Sequence, residues 1–170
     1  GSLDLSTLSS ATYLLKLVTD QGVETIKRIP VVLGEADVIK SIILLPGVTN
    51  AGEASSGFNV RGGAVDQNLI LLDEAIIFNS SHLFGFFSVF NPDAIKDIKL
   101  FKGGIPARYG GRVSSVLEIF QKEGNSKEFH MSGGIGAVAS RLLAEGPIVK
   151  DKAAFLIGGR ASYAHLFTPL

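Results

Sequence analysis

Gly134-Ile135-Gly136-Ala137-Val138-Ala139 satisfies G-x-G-x-x-A, the spacing that brings backbone N–H groups at a strand-to-helix turn against a pyrophosphate. The six residues sit inside a run of alternating small residues, with no helical pattern after them and no βαβ unit around them. They read as strand glycines. The three histidines, His82, His130 and His165, lie far apart and show none of the short spacings of metal ligands. Ser55-Ser56 and Ser114-Ser115 are not framed as G-x-S-x-G, so they read as loop and turn serines. Asp73-Glu74 pairs two carboxylates, the groups of acid and base catalysis, but strand neighbours face opposite ways and a turn accommodates both. With no cysteine there is no thiolate nucleophile, thiolate zinc site or disulfide framework. No enzyme, no metal site and no cofactor is expected.

The elements that carry these residues are short. A chain of 170 residues allows one domain, or one domain and a fragment of another. Sixteen Lys+Arg balance 16 Asp+Glu, which removes any general attraction to nucleic acid, so no nucleic acid is expected as a partner. The richest apolar run, residues 83–90, is far short of the ~18 residues of a membrane-spanning helix. No basic-then-apolar leader opens the chain and Gly1-Ser2 resembles a vector scar, so the expectation is a piece of something longer. Twenty glycines imply many special backbone positions.

Residues 3–28 alternate around Asp20-Gln21-Gly22, a hairpin signal. From Glu35 the residues Val38, Ile39, Ile42, Ile43 and Leu45 fall at helical spacing until Pro46-Gly47. Phe58 to Arg61 reads as a strand ending in the Gly62-Gly63 turn, and two apolar runs about Asp73-Glu74 read as a tight hairpin without its usual glycine. Asn91-Pro92-Asp93 reads as a capped single-turn helix through Lys96, before strands at Ile98–Lys102 and Val113–Phe120. Residues 127–145 and 153–165 alternate at length, which predicts two long strands joined at Gly146-Pro147.

The ordered motifs Leu44-Leu45-Pro46-Gly47-Val48, Val60-Arg61-Gly62-Gly63, Leu71-Leu72-Asp73, Asn91-Pro92-Asp93-Ala94-Ile95 leading to Lys102-Gly103, and Tyr109-Gly110-Gly111 resemble the plug domain of TonB-dependent outer-membrane receptors, in the form found in Bacteroidota. The resemblance covers roughly residues 31–120, and residues 127–165 look like the first two strands of the enclosing barrel. The expected fold is α+β, a small mixed β-sheet plug with short helices followed by a long antiparallel β-hairpin from the start of an outer-membrane barrel. Expected boundaries are 1–28 for an N-terminal β-hairpin segment, 29–124 for the plug and 125–170 for the barrel strands.

The resemblance implies a gate in a receptor of the outer membrane that imports nutrients such as glycans, peptides or metal chelates. Its implied partners are the rest of the barrel, the TonB energy-coupling protein and a surface lipoprotein. No energy-coupling box is recognisable upstream. Arg61, Lys102 and Arg112 are the expected plug-to-barrel anchors, since guanidinium groups pair bidentately with carboxylates. Gly62, Gly63, Gly103, Gly104, Gly110 and Gly111 are the expected structural turns. Asn79, Ser80, Ser81, His82 and Phe84 belong to a polar and aromatic loop expected to face ligand. The rival reading is a non-transporting structural or secretion-linked β-rich binding module, centred on the N-terminal hairpin.

Overall fold

The computed structural model describes residues 17–20, 23–26, 31–32, 35–52, 57–82, 87–135 and 139–162. The chain forms two compact units, one of residues 1–90 with 96–120 and the other of residues 91–95 with 121–170.

The first unit is built on a six-stranded mixed sheet in the order Leu17–Asp20, Val23–Ile26, Ile95–Phe101, Ser115–Gln121, Asn68–Leu72, Ala75–Ile76. Val116, Leu117, Glu118 and Ile119 are all buried, as both faces of an interior strand must be. This strand runs parallel to Asn68–Leu72, and the connection between them carries the loops of interest. Leu69, Leu71, Phe101 and Val116 form a buried cluster, closed by Ile105 and Tyr109. Of the hairpin predicted over residues 3–28, Leu17–Asp20 and Val23–Ile26 pair antiparallel while the rest lies outside the described residues, and Val23–Ile26 pairs antiparallel with the strand through Ile98 and Phe101. It therefore extends the plug sheet.

The helix is shorter than the apolar spacing predicts and covers Val38–Ile43. Asp37 has extended backbone and caps it, its Oδ1 accepting from the Lys40 N–H at 3.1 Å, while Glu35–Ala36 pairs with Val31–Val32. Val38, Ile39, Ile42 and Leu45 are buried on one side. The Asp37 Oδ2 also accepts from the Ser88 N–H at 2.9 Å, tying the helix start to a strand fifty residues on.

The second unit is a three-stranded antiparallel sheet of His130–Ile135, Ala139–Val149 and Ala153–Ser162. Three strands stand where the alternation predicts two, and Gly146-Pro147 lies inside the middle strand. Proline is tolerated there because pairing to the first strand stops at His130↔Glu145, leaving that side of Pro147 without a ladder to donate to. The register shifts between Pro147 and Val149 on the other side. The turn predicted at Asn91 is the short 3-10 helix Pro92–Ala94; it ends two residues early because Ile95 already begins the next strand.

Candidate functional site

Three of the glycine turns meet at one place in the first unit. Gly47, with φ +76°, ends the turn after the helix, and its carbonyl accepts from the Arg61 N–H at 2.9 Å. Arg61 and Gly62 are both left-handed, with φ 50° and 80°, in a turn closed by the Gly63 N–H donating to the Val60 carbonyl. A Cβ on Gly47 would lie 3.7 Å from the Arg61 Cγ, and one on Gly103 would lie 3.1 Å from its Nη1. The Arg61 side chain thus crosses from the first turn to the third over two bare backbones. Lys102 is buried, and its Nζ donates to the Pro46 carbonyl at 2.7 Å. Its ammonium thereby holds the turn on which Arg61 rests. Arg61 is exposed, and no carboxylate among the described residues pairs with it.

Gly63 is needed for a different reason. A Cβ there would come within 2.6 Å of the Ser114 Cβ, and Ser114 Oγ donates to the Val60 carbonyl at 2.9 Å. Asn68 is buried and fully used: its Nδ2 donates to the Phe58 and Val65 carbonyls, and its Oδ1 accepts from Ser115 Oγ at 2.6 Å. Sequence reasoning read Ser114 only as a turn serine and passed over Asn68, since nothing in their spacing marks partners 54 and 47 residues distant.

The Gly110-Gly111 turn places Tyr109 over the core, 5.5 Å from the Phe101 ring. Its hydroxyl donates to the buried Glu118 at 2.8 Å and accepts from Arg108, whose guanidinium lies 4.6 Å over the ring. Burial first, and the Glu118 hydrogen bond second, raise the Tyr109 pKa above its ordinary value. A neighbouring cavity of about 510 Å³ is lined by Asp66, Asn79, Ser80 and Arg112 beside Val65 and Phe78. Arg112 is exposed, donates to the Gly111 carbonyl at 3.3 Å and lines this cavity. Asn79 Oδ1 accepts from the Ser81 N–H at 3.2 Å. Leu83 to Phe86 lie outside the described residues, and Phe84 with them.

In the second unit, residues opposite one another on adjacent strands share a face. Met131, Ala144 and Ile157 form one row and Gly133, Leu142 and Gly159 the next, with Ile135 continuing the face. The large side chains of this face are exposed, Ile135 to 92% and Ile157 to 67%. The opposite face carries His130, Ser132, Arg141, Glu145 and Arg160, with Leu143 buried and Leu156 half-buried among them. An antiparallel sheet with one exposed apolar face and one largely polar face is how a barrel wall divides between lipid and lumen.

A mixed sheet laced by glycine turns, followed in the chain by such a wall, defines a barrel plug with its first strands. Residues 33–116 match the TonB-dependent Receptor Plug Domain family. That segment belongs to the plug family of TonB-dependent receptors, outer-membrane proteins that hold the plug inside their barrel and are not enzymes. Similar solved structures include the ferric enterobactin receptor of Pseudomonas aeruginosa in complex with enterobactin, at 21% identity and a TM-score of 0.60, covering 85% of this chain and 25% of that one. The siderophore receptor PirA of the same organism aligns at 20% identity and a TM-score of 0.59, over 85% and 28%. The copper transporter OprC aligns at 13% identity and a TM-score of 0.60, over 85% and 24%. The chain thus spans about a quarter of the length of these proteins. No curated protein sequence matches it significantly.

Proposed function

We propose that the chain is the gate and the first wall strands of an outer-membrane receptor that imports a nutrient, with residues 1–28 as an N-terminal segment, 29–124 as the plug and 125–170 as the wall. The observation that carries this is the two-faced sheet: a plug fold continues directly into strands whose apolar side has no core of its own to cover it. The neighbours named for siderophores and copper favour a metal or metal chelate as cargo among the alternatives of glycan and peptide. The ordered motifs favour a receptor of the Bacteroidota type. The partners on this reading are the remaining barrel, the TonB energy-coupling protein and, at the cell surface, a lipoprotein.

The cavity beside Asn79 and Ser80 supplies amide, hydroxyl, carboxylate and guanidinium groups within reach of the exposed Phe78, a mixture suited to a polar cargo. Arg61 and Arg112 are the groups free to meet barrel-wall carboxylates, whereas Lys102 fixes the turn beneath Arg61. In an intact receptor Arg61→Ala is expected to loosen the plug and admit small solutes, at a cost of about 3–5 kcal/mol if its partner is left buried and unpaired. Single-channel conductance and sensitivity to large antibiotics measure this. Unchanged permeability together with unchanged protease resistance of the plug would overturn the anchoring role.

A further inference from the structure

Residues 91–95 lie within the plug's run of sequence yet pack with the second unit. Three features account for their placement. Arg141 Nε donates to Asp93 Oδ2 at 2.7 Å, with both side chains about three-quarters buried. The Lys122 N–H donates to the Ala94 carbonyl at 2.8 Å. Asn91 lies against Gly158, where a Cβ would come within 2.9 Å of its Nδ2.

The glycines of the sheet make this arrangement sterically available. Gly134 pairs directly with Arg141, and a Cβ on it would lie 3.3 Å from the guanidinium carbon, so the side chain crosses its neighbour over bare backbone. Gly134 and Arg141 share the polar face with Gly158, which pairs with Leu143. The glycine of the misleading nucleotide-type spacing thereby acquires a packing role.

We propose that Gly134, Arg141 and Gly158 form a socket on the polar face of the wall strands, and that its occupant is this chain's own Asn91-Pro92-Asp93-Ala94 turn. The turn is then a segment from within the plug's run of sequence that is seated in the second unit. The charge order is the reverse of that expected for Arg61, with the carboxylate on the plug segment and the guanidinium on the strand. The packing stands on the second unit alone; only the name wall rests on the receptor reading.

Charge exchange tests the socket in the full chain, held in detergent to cover the apolar face. Asp93→Arg and Arg141→Asp are each expected to speed exchange of the Lys122 amide hydrogen about tenfold, an effect of about 1.4 kcal/mol. The double exchange should return it to within about threefold of the parent. Amides of Leu69 to Leu72 should be unchanged throughout. Single variants without effect, or a double variant no better than the singles, would overturn the socket. Should a single variant unfold the sheet, loss of protection from Glu145 to Leu156 reveals it. Asp93→Asn, which keeps the side-chain shape, then gives the reading: faster Lys122 exchange supports the socket, and unchanged exchange overturns it. Failure here would leave the plug fold, set by residues 33–116, untouched.

Discussion

Tyr109 shows how one side chain serves the turn and the core together. The folded chain keeps the phenol proton at pH values where the unfolded chain releases it, because folding raises its pKa from 10.0. This contribution to stability is whole below the unfolded value and is lost as the pH climbs through the folded one. Urea midpoints at about pH 9 and about pH 11 should therefore fall further for the parent than for Tyr109→Phe, which has no phenol to titrate. Gly63 makes a steric prediction. Gly63→Ala forces Ser114 aside and should cost about 1–3 kcal/mol in urea unfolding, with part of the loss recovered by Ser114→Gly. Of these residues the glycine turns were legible in the sequence, since glycine declares a backbone need. Ser114, Asn68 and Asp37 were not, since a small polar residue looks alike in a loop and in a buried network until its partner is placed.

The elements were legible where local chemistry decides them. The Asp73-Glu74 turn joins Leu72 to Ala75 with φ of 46° and 70°, two left-handed residues without a glycine. Glu74→Gly should accordingly stabilise the chain by about 1 kcal/mol, read as a higher urea midpoint with the same slope. The apolar spacing located the helix but not its start, because Asp37 is an N-cap only once its carboxylate meets the Lys40 N–H. Gly146-Pro147 misled for a related reason. A proline ends a strand when both sides need donors, and only the pairing pattern shows that one side of Pro147 needs none. Alternation alone counts segments poorly when a strand continues through such a point.

At the scale of the whole molecule, the plug motifs were legible because their order is specific, and the excursion of residues 91–95 into the second unit was not. A five-residue excursion leaves no mark in composition. The apolar face of the second unit makes its own prediction: the chain should run as a single species in detergent and associate when detergent is withdrawn. Met131→Lys with Ile157→Lys, both on that face, should reduce the association, as measured by light scattering. Equal behaviour of parent and variant would place the apolar face against protein instead of lipid. The excursion also bears on how the gene can be cut. Between residues 90 and 121 the backbone passes from one unit to the other three times, so no single breakpoint separates them. A recombinant plug ending at Phe120 would carry Asp93 without the arginine that meets it, and a strand fragment beginning at Gln121 would carry that arginine without its carboxylate. Evolution that exchanges plugs between barrels meets the same seam: a graft made at residue 120 inherits one half of a charged pair from each parent.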